Sequence, residues 1–278
     1  MGAGRVDNRD MDSDAPHQGF DPRTPNIARV YDAFLGGKDN YQADREVAGR
    51  LTEISPEFVQ GAHDNRAFIG RAVTWAAGRG IRQFLDLGSG LPTQPAVHEF
   101  AREAIPDARV CYVDNDPVAV LRAQALVADP KGIAVIKADL TGPDLVLAEA
   151  TARGLDLTEP VCVIFAMVLH FYPPEQARSI VAEYVSRVPA GSTVVISTGR
   201  MDDPEAWYRM REGYSASATY NHSRDEVASF FAGLEMVPPG LVRATDWRGS
   251  TAEVGVPFRG SVYPLGGVAV SGTPDGGL

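Results

Sequence analysis

The hydrophobic positions change their period near residue 80. Before it, Ile27, Val30, Tyr31, Phe34 and Leu35 recur at helical spacing and stop at Gly36-Gly37. Further helices are predicted over 42–51 and 57–79, the second carrying Phe58, Phe68, Ile69, Val73 and Trp75. After it, short apolar runs predict strands over 81–87, 109–113, 133–136, 161–166 and 193–197, separated by helices over 94–104, 117–127, 142–151 and 174–188. These runs lack in/out alternation, so each strand is buried on both faces, which means a mostly parallel α/β sheet covered by helices on both sides. Beyond Gly199 helices are predicted over 203–213 and 223–233, with two weaker strands near 240–246 and 265–271 as a late antiparallel addition. Residues 1–24 mix Gly, Asp, Asn, Pro and Arg without periodicity and read as a disordered tail.

Composition narrows the function classes. With 26 Lys+Arg against 36 Asp+Glu the net charge is -10, which argues against nucleic acid or an anionic membrane as the main partner. Only three of the 26 basic residues are lysines, Lys38, Lys131 and Lys137. Cys111 and Cys162 fall inside predicted strands, without a CxxC or a Cys/His cluster. No metal site and no disulfide framework are therefore expected, and a reducing compartment fits. The N-terminus has no apolar core like that of a signal peptide, and no run has the roughly 18 apolar residues of a membrane span. A cytoplasmic protein is the expectation.

In an open parallel sheet ligands bind beyond the carboxyl ends of the strands, so the residues following each strand are the candidates. Gly88-Ser89-Gly90 follows the first; it is either a ligand-approaching loop or a plain strand-to-helix turn. A dinucleotide fingerprint needs a third glycine where this chain has Thr93, which disfavours a nicotinamide- or flavin-dependent oxidoreductase. Asp114, ending the second strand, suits the two hydroxyls of a ribose, while Asp116 before Pro117 suits a helix N-cap. Asp139 after the third strand suits either an exocyclic amine or a turn before Thr141-Gly142-Pro143. His170, just past the fourth strand, is a candidate general base with a pKa near neutrality or a hydrogen-bonding neighbour of the site. His63 and His222 read as solvated helix residues.

The runs FLDLGSGLPT, YVDNDP, ADL and FAMVLHF resemble a class I S-adenosylmethionine-dependent methyltransferase. The lead-in TPNIARVYDAFLGGKDNYQADRE is similar to that of the actinobacterial S-adenosyl methyltransferase family, formerly a domain of unknown function. The resemblance runs from Thr24 to the end and implies a Rossmann-like class I methyltransferase fold. Its expected divisions are a tail over 1–24, an N-terminal helical cap over 25–80 and the S-adenosylmethionine-binding domain over 81–278, with a substrate-side insertion at about 200–235. It implies that Asp86, Gly88, Ser89 and Gly90 surround the methionine part and ribose of the cofactor. Asp114 is then the ribose acid with Asn115 beside the adenine, Asp139 and Leu140 contact the adenine, and Ala166 and Met167 form the segment after the fourth strand. One departure is Ala96, where the family pattern has Asn. The segment Leu35–Tyr41 reads either as a helix stop followed by a cap from Asp39 or Asn40, or as a flap that brings Tyr31 and Lys38 to the cofactor's open end.

The activity this implies is methyl transfer to a small-molecule O or N acceptor, in a pocket built from the lead-in and the insertion. Trp207, Tyr208, Met210, Tyr214, Tyr220, Phe230 and Phe231 supply aromatic and apolar surface there. The competing reading is a regulatory protein that binds S-adenosylmethionine without transferring its methyl group.

Overall fold

A computed structural model describes residues 21–93, 95–126, 131–213, 217–249 and 260–272. Its centre is a sheet of eight strands: β1 (Gln83–Leu87), β2 (Arg109–Asp114), β3 (Ile133–Lys137), β4 (Cys162–Ala166), β5 (Thr193–Met201), β6 (Leu234–Met236), β7 (Val242–Arg243) and β8 (Val262–Ser271). The order is β3-β2-β1-β4-β5-β8-β6, with β7 also pairing β8. Strands β1 to β5 are parallel, and β8 runs antiparallel to β5, β6 and β7. Chain order reverses beside β1, where β2 lies on one side and β4 on the other, and this opens a crevice at their carboxyl ends. The late antiparallel addition thus involves three strands. The predicted 240–246 strand contracts to Val242–Arg243 followed by a 3-10 turn, Ala244–Asp246.

Nine helices are described: α1 (Ile27–Phe34), α2 (Gln42–Ile54), α3 (Glu57–Gly78), α4 (Val97–Ala104), α5 (Pro117–Leu126), α6 (Pro143–Ala152), α7 (Pro174–Val185), α8 (Pro204–Gly213) and α9 (Arg224–Ser229). On one face of the sheet Phe68, Ala72, Val73 and Ala76 of α3 join Val97 and Ala101 of α4 against Phe84, Val110, Ile164 and Val195. On the other, α6, α7 and α9 bury Val146, Ile180, Tyr184 and Val227 against Leu85, Val113, Val163 and Val194. The helical lead-in therefore divides. Its third helix is a layer of the sandwich, and only α1 and α2 form a separate cap, closing on α8 through Val30, Val47, Leu51, Met201, Met210 and Val262.

The cap is tied by one buried ion pair. Arg29 of α1 and Asp44 of α2 meet at 2.9 Å with side chains 4% and 0% exposed. Asp44 also accepts from the backbone N–H groups of Asn26 and Tyr41, each at 2.8 Å, so it fixes the starts of both helices. Tyr41 itself occupies the N-cap position of α2, in place of the Asp39 or Asn40 cap that the sequence suggested.

Removing Asp44 takes away the carboxylate that faces the buried Arg29 guanidinium and the acceptor for the Asn26 and Tyr41 N–H groups. Asp44→Ala is expected to lower the free energy of unfolding by about 3–5 kcal/mol, measured by urea titration; a loss below 1 kcal/mol would show that the pair does not hold the cap.

Candidate active site

A cavity of about 410 Å³ lies over the carboxyl ends of β1, β2, β4 and β5, beneath the cap. Its volume is within the ~300–1,000 Å³ range of small-molecule sites. Its floor is the Gly88-Ser89-Gly90 turn. Gly88 and Ser89 both donate to the Val113 carbonyl, at 2.8 and 3.1 Å, and Gly88 and Gly90 have φ of 71° and 63°. A Cβ on Gly88 would stand 2.5 Å from Val168 Cγ2, so glycine there keeps the turn open where β1 and β4 converge.

Asp114 faces this turn. Its Oδ2 accepts from Gly90 N at 2.7 Å and its Oδ1 from Asp116 N at 2.9 Å. Each carboxylate oxygen retains an acceptor position, and the residue lines the cavity. Burial raises its pKa, opposed by hydrogen bonds from the backbone of Asp116, Gly90 and Asn115. Asp116 Oδ1 accepts from Val118 N at 2.7 Å, which assigns the capping role to Asp116 and leaves Asp114 for a ligand. Asp86 is buried and accepts no hydrogen bond among the described residues. Burial pushes its pKa up to about 7, offset by the nearby Arg66 cation and reinforced by Asp114. Arg66, in the middle of α3, lines the cavity and donates to the Thr93 and Pro95 carbonyls at 3.4 and 2.6 Å.

A hydrogen-bonded chain joins the cap to the end of β4. Tyr31 Oη donates to the Ala62 carbonyl at 3.0 Å and accepts from Asn65 Nδ2 at 2.8 Å. Ser197 Oγ donates to Asn65 Oδ1 at 2.6 Å and accepts from Met167 N at 3.2 Å. Burial raises the Tyr31 pKa to about 12, so its hydroxyl keeps its proton for Ala62. Met167, at φ 53°, occupies a left-handed conformation that its two bonds to Ser197, through carbonyl and hydroxyl, help to hold.

Of the residues singled out by sequence, Asp86, Gly88, Ser89, Gly90, Asp114, Asn115, Leu140, Ala166, Met167, Tyr31 and His170 all line the cavity. Two are not brought there. Asp139 is exposed, and its Oδ1 closes a turn with the N–H and hydroxyl of Thr141, both at 2.8 Å. Lys38 is exposed at the tip of the Leu35–Tyr41 loop. That loop is pinned from within by Asp32, whose Oδ2 accepts from Asp39 N at 3.0 Å and Asn40 Nδ2 at 2.8 Å. A Cβ on Gly37 would lie 2.0 Å from Asp32 Oδ1, which accounts for its glycine. Asp39 then reaches Arg122 of α5 at 3.2 Å, bridging the cap to the second strand's helix.

His170 differs from the expected base. Burial, with a smaller push from His222, drives its pKa down to about 3, and its Nδ1 is buried without a hydrogen-bond partner. The imidazole is neutral near pH 7 and only weakly basic. His222, read as solvated, is 1% exposed and bonded through Nε2 to the Tyr172 carbonyl at 3.0 Å. Of the aromatic set, Trp207, Met210 and Tyr220 line the cavity, Phe230 and Phe231 belong to the core, and Tyr208 is exposed. Tyr214 lies outside the described residues. Among the described residues no group of acidic, His or Cys side chains could hold a metal, and no helix is long and apolar enough to cross a membrane.

The sequence matches the S-adenosyl methyltransferase family over residues 13–272. The crystal structure of a DUF574-family protein from Streptomyces avermitilis is 34% identical, with a TM-score of 0.85 over 90% of this chain and 99% of that one. A Thermobifida fusca protein named as a candidate methyltransferase is 33% identical, with a TM-score of 0.84 over 94% of this chain and 100% of that one. The plantazolicin methyltransferase BamL, crystallised with SAH and a triazolic desmethylPZN analog, shares the fold alone: 10% identity and a TM-score of 0.50, covering 88% of this chain and 95% of that one. No curated protein matches the sequence.

Two outcomes follow from the geometry of the floor. Gly88→Ala adds a left-handed Ala and a contact with Val168, and is expected to cost about 1–3 kcal/mol of stability; adding Val168→Ala should return part of it in urea titrations. In the ligand-free protein Asp86 keeps a proton up to about pH 7 that the unfolded chain, with the ordinary value of 3.8, has lost. Stability should therefore fall as pH rises from about 4 to about 7 and level off above. Asp86→Asn should flatten that part of the profile; an unchanged slope would refute the assignment.

Proposed function

Because this chain belongs to the S-adenosyl methyltransferase family and is a methyltransferase dependent on S-adenosylmethionine, we propose that it methylates an oxygen or nitrogen of a small molecule enclosed between the sheet and the cap. The observation that carries this reading is Asp114. Each of its oxygens accepts a backbone N–H and retains capacity for a further donor, and the residue lines the cavity, which suits a pair of adjacent ribose hydroxyls.

The other lining residues suit the rest of the cofactor. Asn115 and Leu140 would flank the adenine, and Gly88, Ser89 and Gly90 admit the chain between ribose and sulfur. The unpartnered Asp86 carboxylate and the Arg66 guanidinium would meet the ammonium and carboxylate of the amino-acid end, with Tyr31, Ala166 and Met167 closing the sides. Lys38 and Asp139 drop out of this reading, because one is exposed on a loop tip and the other is engaged in its own turn. When bound, the cofactor supplies a methyl group on a positively charged sulfur, a leaving group that needs no protonation. The protein's task is then alignment, an effect of about 7–11 kcal/mol in favourable cases. A weakly basic His170 is consistent with a reaction in which orientation outweighs proton transfer.

Calorimetric titration tests the reading. S-adenosylmethionine and S-adenosylhomocysteine should bind, and Asp114→Ala should weaken both at least ~100-fold, the equivalent of two charge-assisted hydrogen bonds. Incubation with a metabolite extract should then release S-adenosylhomocysteine, which a purely regulatory binder would not do. Failure to bind either compound would overturn the proposal, and binding of NADH instead would point to dinucleotide chemistry.

A further inference from the structure

Part of one cavity wall is built from a segment that no sequence motif marks. Residues 219–222 cross the end of the sheet and are fixed there by hydrogen bonds to β5 and to the turn over 169–172 that follows β4. Tyr220 N donates to the His170 carbonyl at 2.8 Å. The Asn221 amide pairs with both backbone groups of Met201, at 2.7 and 3.0 Å. His222 Nε2 donates to the Tyr172 carbonyl at 3.0 Å, and Arg200 Nη1 donates to the His222 carbonyl at 3.2 Å. A wall held this way presents its remaining polar groups at set positions.

Three groups on this side of the cavity have unused hydrogen-bonding capacity. Thr219 Oγ1 and His170 Nδ1 are buried without a partner. Arg200 spends Nε on Asp202 at 2.9 Å and one N–H on His222, leaving others of the guanidinium's five. Its counter-ion Asp202 is exposed, is also engaged by the Tyr263 hydroxyl at 2.7 Å, and does not line the cavity. The carboxylates that do line it, Asp32, Asp86, Asp114 and Asp116, are on the other side: the first holds the 37–40 loop and the rest end β1 and β2. This side therefore presents a cation and hydroxyl and imidazole groups to the cavity, with Phe34, Phe58, Trp207 and Met210 also in the lining; the carboxylates near Arg200, Asp202 and Glu226, are not among the described residues that line it.

We propose that the methyl acceptor is an anionic, largely aromatic molecule whose carboxylate is held by Arg200 with the help of the Thr219 hydroxyl. The inference rests on the methyltransferase reading above and names the substrate class for it. An acceptor carrying an ammonium group finds no carboxylate among the described residues lining this side of the cavity to offset its desolvation, whereas an anion meets a half-buried cation with N–H groups to spare and a buried hydroxyl without a partner. Arg200 is then the residue that sets specificity, acting on binding of the acceptor rather than on the cofactor.

The test uses protein saturated with S-adenosylhomocysteine, calorimetric titration as the readout, and three probes of one shape: 2-naphthoate, 2-naphthalenemethanol and 2-naphthylmethylammonium. Naphthoate should bind at least ten-fold more tightly than the alcohol, and the ammonium should bind most weakly. Arg200→Met should abolish the preference for naphthoate and Arg200→Lys should restore part of it, while both variants keep their affinity for S-adenosylhomocysteine, which verifies that they are folded. Absence of naphthoate binding at millimolar concentration, equal binding of the three probes, or a preference that survives Arg200→Met would overturn the proposal. Loss of S-adenosylhomocysteine binding by the unaltered protein would instead sink the cofactor reading beneath it.

Discussion

Asn65 and Ser197 meet at 2.6 Å in the interior, 2% and 0% exposed, and the positions of cap, sheet and cavity all depend on that contact. A buried side-chain amide has to find partners for both its oxygen and its nitrogen, at a cost of about 1–3 kcal/mol for a group left over. Asn65 does so by taking Ser197 with one and Tyr31 with the other. The first bond fixes α3 over β5, the second fixes α1 over α3, and Ser197 passes the constraint to the backbone of Met167. Arg66 is the next residue along α3, so the same contact governs where that cation stands relative to Asp86.

The charges within the cavity are divided by strand. Acidic groups end β1 and β2: backbone N–H groups serve Asp114, while among the described residues Asp86 has only the field of the nearby Arg66 cation of α3. Arg200 ends β5 on the far side, past Gly199 and Met167. This separation follows from the order of strands, since β4 stands between β1 and β5. One concavity thus has two electrostatic characters without any element being specialised to produce them.

The sequence made those parts of the molecule legible whose signals are local. Five apolar runs gave five parallel strands, and Asp86, Asp114 and Met167 followed because each sits at or just past the end of such a run. The edge strand Leu234–Met236 has only three residues and no period to detect. Asn65, Arg66 and Arg200 carried no signal, since a polar residue in a helix or strand looks like surface until its neighbours from 22 to 132 positions away are known. Lys38 and Asp139 sit in recognisable motifs yet do not line the cavity, and the local bonds of Asp32 and Thr141 favour the turn reading that the sequence also allowed. His170 was correctly located by its strand, whereas its weak basicity depends on how completely the surrounding chain buries it.

The cap joins opposite ends of the chain. Val30, Val47 and Leu51 pack on Met201, Met210 and Val262, while β8, which holds Val262, sits between β5 and β6. During synthesis the first helices therefore leave the ribosome with their apolar faces uncovered, and they wait for nearly the whole of the remaining chain. At about 5–20 residues per second that interval is roughly ten to forty seconds. For that time the buried faces of α1 and α2 are available to chaperones and to other nascent chains, and the cavity acquires its roof only as the last strand slides into place.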